Sequence, residues 1–265
     1  MIRLKILLKK IILRNYIKLI SIITPTFNSE DTLLECLNSV SYQSYKEVEH
    51  LIIDGESNDK TLEILHTFRG HCLTCFSEKD EGIYDAVNKG IQKSSGEIIA
   101  WLNSDDLFAS EDVLCDVAEH FLDPDVQIVY GDINYVNRSN INKVTRRWKA
   151  GLYNSRSVKW GWMPPTPAVF FRKSLLDFDN LYNKQYQISG DYEFFLRNHS
   201  LFQRSKYIPQ VMVLMRLGGV SNAGGWYTVL KLVEDYRAIK STQTGNILTI
   251  PIKSIRKLGQ FKLSI

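Results

Sequence analysis

The chain lacks the features that mark several protein classes. It has four cysteines in 265 residues, and only Cys72 and Cys75 stand close together, as a single C-x-x-C. Without a second pair or histidines at ligand spacing, that dipeptide argues against a zinc site, and Cys36 and Cys115 complete no disulfide framework. The thiols are expected to stay reduced, as in a cytosol. No stretch approaches the roughly 20 uninterrupted apolar residues of a membrane-spanning helix. The first residues interleave apolar and basic side chains with no small-residue cleavage site after them, so no secretory signal is expected. Acid is missing from both ends. Residues 1–20 hold Arg3, Lys5, Lys9, Lys10, Arg14 and Lys18, and residues 249–265 hold Lys253, Arg256, Lys257 and Lys262, with no Asp or Glu in either stretch. The net charge is only +4, so the body between these ends is acidic. A nucleic-acid binder shows a basic body, and none is expected as a partner. Basic ends on an acidic body suit attachment to an anionic membrane surface. Repeats, low-complexity tracts and linkers are absent too, which leaves one large domain, or one domain with a subdomain.

What is present is an alternation of buried-strand and helix patterns. Residues 2–20 read as a basic amphipathic helix, or as a lead-in that packs on the domain. Leu19–Thr24 is a β-rich run broken by Pro25, followed by a loop and a helix that Ser29 would cap, with Leu33, Leu34, Leu37 and Val40 on its apolar face. Val48–Ile53 repeats the pattern, ending on Asp54-Gly55, with Ser57-Asn58-Asp59 opening the next helix through Phe68. Cys72–Ser77 is a third strand, and Ile83, Val87 and Ile91 space a third helix that Gly96 would close. Strand–loop–helix units in succession predict parallel strands with crossover helices. A further helix is expected over about 110–122.

After Pro124 the character changes. Val126–Tyr130 reads as one strand, and Ile133–Val136 with Lys143–Trp148 as an antiparallel pair. An aromatic, proline-rich loop follows (Trp160, Trp162, Pro164 to Pro167), then a strand at Ala168–Phe171 and a helix from about Tyr192. A last strand at Tyr207–Met215 and closing helices over 226–241 and 246–259 complete the chain. The expected organisation is a basic segment 1–18, a main domain 19–223 divided into 19–125 and 126–223, and a helical basic tail 224–265.

The most informative stretch is Gly96 to Asp106. A short apolar run, Ile98 to Leu102, stops abruptly on Asn103, Ser104, Asp105 and Asp106. Ligands in open α/β sheets sit outside the carboxyl ends of strands, where adjacent carboxylates can hold a hard divalent cation that grips a phosphate. The same residues could instead form an Asx turn ahead of Ser110 and Glu111.

Five segments in this order resemble the family-2 glycosyltransferases of the GT-A fold, over roughly residues 19–223. They are Ser21 to Asn28, Leu51 to Thr61, Asp80 to Gly90, Leu102 to Asp106 and Gly190 to Phe194. The likeness is to enzymes of bacterial polysaccharide or lipopolysaccharide assembly. It implies an α/β, Rossmann-like mixed sheet flanked by helices, with C-terminal helices. It also implies an inverting, metal-dependent hexosyl- or N-acetylhexosaminyltransferase, peripheral on the cytoplasmic face of the plasma membrane. That enzyme would use a nucleotide-diphosphate sugar, UDP-linked, with a glycan or lipid-linked acceptor. Asp105, supported by Asp106, would hold Mn²⁺ or Mg²⁺. Asn103 stands where the family's first Asp falls, keeping a carbonyl acceptor but losing a charge. Asp191 would be the base that deprotonates the acceptor, or a helix N-cap. Thr24, Pro25, Asn28 and Asp54 would form the nucleoside pocket, with Ser104 beside it, and Ser57 would serve that pocket or cap the following helix. Tyr84, Asp85, Asn88 and Lys89 belong to the third motif. Asp85 and Lys89, one turn apart, would meet the donor phosphates or form a solvated ion pair. Arg216 would reach the diphosphate, with Gly218 and Gly219 in a closing loop. Trp160, Trp162 and Met163 would form an apolar platform or join the core, and Thr166 stands where relatives carry His. Two other readings compete. A non-catalytic nucleotide-sugar-binding scaffold is kept open by Asn103. A sugar nucleotidyltransferase is disfavoured because Pro25 to Ser29 lacks a Gly-rich basic loop.

Overall fold

The structure, a computed structural model, describes residues 19–70, 73–218, 225–258 and 260. The basic segment expected over residues 1–18 lies outside them, as do Cys72 and Gly219. Strands β1 (Ile20–Thr26), β2 (Val48–Asp54) and β3 (Leu73–Ser77) are parallel, joined through helices α1 (Leu33–Ser41) and α2 (Thr61–Thr67). Helix α3 (Ile83–Lys93) then carries the chain back across the sheet, so that β4 (Ile98–Trp101) pairs with the other side of β1. The strand order therefore reverses at β1. The loops after β1 and β4 part there and leave a crevice at the strands' carboxyl ends.

The second half extends the same sheet. It adds β5 (Leu107–Phe108), α4 (Val113–His120), β6 (Ile128–Asn137), β7 (Asn140–Trp148), α5 (Ser155–Val158), β8 (Val169–Arg172), α6 (Gly190–Asn198) and β9 (Ser205–Arg216). Helices α7 (Trp226–Thr242) and α8 (Thr249–Leu258) follow. The order is β3-β2-β1-β4-β8-β6-β9-β5, with β7 paired to β6. β8 is antiparallel to both β4 and β6, and β9 runs parallel to β6. The expected α/β mixed sheet flanked by helices is what forms.

Several boundaries differ from expectation. Pro25 does not end β1: Pro25 and Thr26 still pair with Ile53 and Asp54 of β2. On the β4 side pairing stops at Ile23, so a missing N–H beyond that point interrupts no ladder. The two strands expected at 126–130 and 133–136 are one strand with a register shift between Tyr130 and Asp132. Gly131 sits at that shift, where a Cβ would stand 2.6 Å from the Met212 sulfur. The first part of β6 thus lies between β8 and β9, and the second between β9 and β7. Ser94, not Gly96, ends α3. Ser29 opens α1 through its backbone carbonyl, which accepts from Thr32 N and Leu33 N, while its hydroxyl meets that of Ser104 at 2.8 Å.

Each face of the sheet is covered by apolar side chains. Ile20, Ile22, Val113, Val117 and Phe170 belong to one core, with α1 and α4. The other is largely aromatic. Tyr84 of α3 stacks on Tyr182 at 5.9 Å, Tyr182 stacks on Phe194 of α6 at 4.3 Å, and Trp101 of β4 meets both tyrosines edge-on. Such pairs contribute about 0.5–1.5 kcal/mol each beyond their buried area. They tie the end of β4 to the start of α6, which are the two places where the sequence puts chemistry.

Candidate active site

A cleft of about 1050 Å³ opens at the switch point. Its floor comes from the loops after β1 and β4. Its other walls come from β7, the proline-rich loop, the start of α6, and α7 and α8. Among the expected site residues, Pro25, Asn28, Tyr84, Asn103, Ser104, Asp105, Asp191 and Arg216 line it.

At one end the loops after β1 and β2 are cross-braced. Asn28 has a left-handed φ of 45°, which Asn tolerates better than most residues. Its backbone N–H donates to Ser57 Oγ at 2.8 Å, and its Oδ1 accepts from Asn58 N at 2.9 Å. Ser57 Oγ in turn donates to Asp54 Oδ1 at 2.5 Å, and Asp54 also accepts from Ser57 N and from Ser77 Oγ. Asp54 is fully buried and does not line the cleft. Its present contacts organise the loop.

The loop after β4 is built around charge. Asp106 is fully buried; its carboxylate accepts from Asn103 Nδ2 at 2.9 Å and from Arg216 N at 3.2 Å. Burial, and then the neighbouring Asp105, push Asp106 well above the usual carboxylate range. Asn103 is fixed from both ends, since its Oδ1 accepts from Trp101 Nε1 at 2.6 Å. Arg216 is buried as well. It donates through Nη1 to the Asp105 carbonyl (2.8 Å) and through Nε to the Arg138 carbonyl (3.3 Å), and Nη2 pairs with Glu35 (2.8 Å). The guanidinium expected to reach a diphosphate is therefore committed to holding the loop. Asp105 is different. It lines the cleft, and no hydrogen bond or ion pair from another described side chain holds its carboxylate. Burial raises its pKa, while Arg138 and Arg216 oppose the shift.

No group of three or more His, Cys, Asp or Glu among the described residues is arranged to hold a metal ion. Asp105 alone suits a different composition, in which one carboxylate and the oxygens of a bound phosphate share the cation; Mg²⁺ is usually held in this way. The donor set fits on those terms. Asp106 supports it only indirectly, by fixing Asn103 and Arg216.

Asp191 is the second residue of α6. Its Oδ1 accepts from Tyr192 N at 2.7 Å, and its Oδ2 accepts from Thr166 Oγ1 at 3.0 Å. Ser189, not Asp191, stands at the N-cap position. The segment that delivers Asp191 is held from two sides. Tyr84 Oη donates to the Ile188 carbonyl (2.8 Å) and accepts from Gly190 N (2.9 Å). The Glu234 carboxylate of α7 accepts from the N–H groups of Gln187, Ile188 and Ser189 at 2.7–2.8 Å.

The structure does not bring Thr24, Asp85, Asn88 or Lys89 into the cleft. Thr24 is buried, its hydroxyl 2.9 Å from Nε2 of His50, whose pKa burial lowers to about 3. Asp85 pairs with Lys89 (3.5 Å) and Lys184 (3.2 Å) and accepts from Glu81 N, and these contacts hold its pKa low against the cost of burial. Lys89 also donates to the Lys79 carbonyl. Of the two readings of that pair, the ion pair is the one observed. Asn88 exchanges two hydrogen bonds with the Tyr182 backbone. Of the aromatic loop, Trp162 and Met163 are buried yet border the cleft, with Trp162 Nε1 donating to the Ala150 carbonyl, whereas Trp160 is exposed and does not line it. The sequence reading missed Glu234, the cleft-facing hold of Thr166, and the basic residues of β7. Only the adjacent acids Glu234-Asp235 in an otherwise apolar and basic helix gave a signal.

Replacing Asn103 by Asp would set a carboxylate against the buried one of Asp106 and remove its donor. Asn103→Asp is expected to lower stability in EDTA by about 1–3 kcal/mol, read from urea denaturation. An unchanged midpoint would contradict this account of the loop.

Comparison with known proteins agrees with this fold. The family described as Glycosyl transferase family 2 matches residues 21–215. A PGL/p-HBAD biosynthesis glycosyltransferase of Mycobacterium tuberculosis is 31% identical over 209 residues, covering 76% of this chain and 78% of that one. An uncharacterised glycosyltransferase of Rickettsia typhi is 26% identical over 240 residues, covering 85% and 71%. Among solved structures, residues 1–349 of S. aureus TarS in complex with UDP superpose with a TM-score of 0.63 at 20% identity, covering 83% of this chain and 72% of that one. The mannosyltransferase PcManGT from Pyrobaculum calidifontis, in complex with GDP-Man and Mn²⁺, gives 0.64 at 16% identity, covering 94% and 80%. With the match spanning the sheet from β1 to β9 and both loops that carry Asp105 and Asp191, the chain belongs to glycosyl transferase family 2.

Proposed function

We propose that this chain is an inverting transferase that moves a hexosyl or N-acetylhexosaminyl group from a UDP-linked sugar to a glycan or lipid-linked acceptor. The observation that carries the reading is that Asp105 and Asp191 line one cleft, each presented by a separately braced loop. UDP in the TarS structure, and GDP-Man with Mn²⁺ in the Pyrobaculum enzyme, support a nucleotide-sugar donor and a divalent cation. The PGL/p-HBAD biosynthesis named for the mycobacterial relatives supports a biosynthetic role, which we assign to cell-surface polysaccharide. In this reading Pro25, Asn28 and Ser104 border the nucleoside, and Asp54 and Ser57 keep that border in shape. Asp105 would hold Mn²⁺ or Mg²⁺, which when bound offsets the negative charge that builds on the leaving diphosphate. Asp191 accepts the proton of the attacking hydroxyl, and Thr166 and Tyr192 N orient its two oxygens.

We place the enzyme on the inner face of the plasma membrane. Helix α7 leaves Trp226, Val229, Val233 and Tyr236 exposed, at i, i+3, i+7 and i+10 along one face, and it also carries Lys231, Arg237 and Lys240. No helix among the described residues is long and apolar enough to cross a membrane. An exposed apolar stripe with basic neighbours suits the surface of an anionic bilayer.

Asp191→Asn is expected to lower kcat by about 10²–10⁴-fold while leaving UDP affinity in Mn²⁺ unchanged, because Asn keeps an acceptor for Tyr192 N. Full transfer by this variant would remove Asp191 from the base role. In a separate measurement, the protein should cosediment with phosphatidylglycerol-containing vesicles but not with pure phosphatidylcholine, and Trp226→Ser/Val233→Ser should abolish the difference. Equal recovery with both lipids, or none with either, would rule out the membrane surface.

A further inference from the structure

The cleft is far more basic than the chain that forms it. Eight Lys or Arg side chains line it, against three Asp, although the body of the chain is net acidic. Two of the eight serve the loops after β1 and β4: Arg216 holds the latter directly, and Arg138 pairs with Asp31 of the former at 3.8 Å. The other six, Arg146, Arg147, Lys149, Lys231, Lys253 and Arg256, come from the end of β7 and from α7 and α8. That wall is distinct from the loops after β1 and β4.

The wall is braced. Arg146 is buried, with its guanidinium 4.4 Å from the Tyr135 ring centre and bonded to Gln260 Oε1. Arg147 N donates to the Gln260 carbonyl at 3.0 Å, so β7 is tied to a residue just past α8. Lys253 is 5% exposed, pairs with Asp235 at 3.0 Å and sits 3.2 Å from the centre of the Tyr192 ring, beside Asp191. Lys231 lies one turn before Asp235 on α7 and shares that carboxylate's field, and Arg256 follows Lys253 by three residues on α8. Burial, joined by Lys231, brings Lys253 down to about 8 in spite of Asp235. Asp235 meets the charge of Lys253, whereas Arg147, Lys149 and Arg256 are exposed to solvent on the same wall.

We propose that this wall is a second anion subsite, which takes a phosphate or diphosphate group carried by the acceptor. The inference rests on the transferase reading and deepens it. The donor's diphosphate lies at the Asp105 end, and the acceptor hydroxyl must reach Asp191. Charge on the Tyr192 side of Asp191 therefore falls to the acceptor. Guanidinium forks and ammonium groups match phosphate oxygens and leave the sugar hydroxyls free to turn toward the base.

The test is isothermal titration of the full chain, with Mn²⁺ and saturating UDP already present, using inorganic pyrophosphate and geranyl diphosphate as probes. Each probe is expected to bind as an additional equivalent. Arg147→Ala/Arg256→Ala, at two exposed positions outside the core, should weaken the probe by about tenfold or more and leave UDP affinity unchanged. Tighter binding of geranyl diphosphate would assign the subsite to a lipid-linked acceptor, and equal binding to a free or polymeric phosphate; either supports it. Probes that bind only by displacing UDP, or a double variant that loses UDP and not the probe, would overturn it by making this wall part of the donor site. If UDP itself fails to bind, the donor reading fails separately. The probe titration against the double variant then still decides the subsite.

Discussion

The hydroxyl of Tyr84 is the contact on which the rest of the site depends. It joins the carbonyl of Ile188 to the N–H of Gly190 and so sets where α6 begins and where Asp191 points. The Tyr84 ring stacks on Tyr182 and meets Trp101 edge-on, and the Trp101 indole N–H holds Asn103. One side chain on α3 thus links the loop that presents Asp105 to the helix that presents Asp191. Burial holds the phenol far above its usual range, so it stays neutral and can both donate and accept. Without the hydroxyl, a buried N–H and C=O would lose their partner, and such groups cost about 1–3 kcal/mol each when unsatisfied. Glu234 secures the same segment from the opposite side with three backbone N–H bonds. The C-terminal helices therefore help to shape the site.

The second constraint is the management of buried negative charge after β4. Asp106 has no exposure, and its tolerance there depends on an amide at Asn103 and on the backbone of Arg216. A carboxylate at position 103 would compete with it. The amide at Asn103 is therefore coupled to the burial of Asp106, and Asp105 is the carboxylate of this loop that lines the cleft. Across the cleft the balance reverses, and the wall from β7, α7 and α8 presents positive charge.

Much of the frame was legible from short-range pattern. The apolar runs at Val48–Ile53 and Ile98–Leu102, each stopping on polar residues, gave the parallel strands and the loops at their ends. The order of five short motifs gave the family and pointed to Asp105 and Asp191. What local pattern could not show was set by contacts between distant residues. Tyr84 meets Ile188 across 104 positions, and Arg216 meets Asp105 across 111. Both line the cleft, yet the contacts that fix them are to the protein, because a motif marks a residue as needed without saying which atom it touches. Asp85 and Lys89 show the same limit: their spacing fitted a phosphate clamp and an ion pair equally, and Lys184, from another segment, completes the pair. The two strands expected over 126–136 are one, because the strand continues through a register shift at Gly131.

The central claim is that Asp191 takes the acceptor proton from the face of the sugar opposite the diphosphate held at Asp105. Stereochemistry tests it most directly. The product formed from an α-linked nucleotide sugar would be examined by proton NMR, reading the coupling at the anomeric carbon before any chemical equilibration. The account predicts a β-linked product. A product that keeps the α configuration would contradict it, because single displacement across this cleft cannot yield retention.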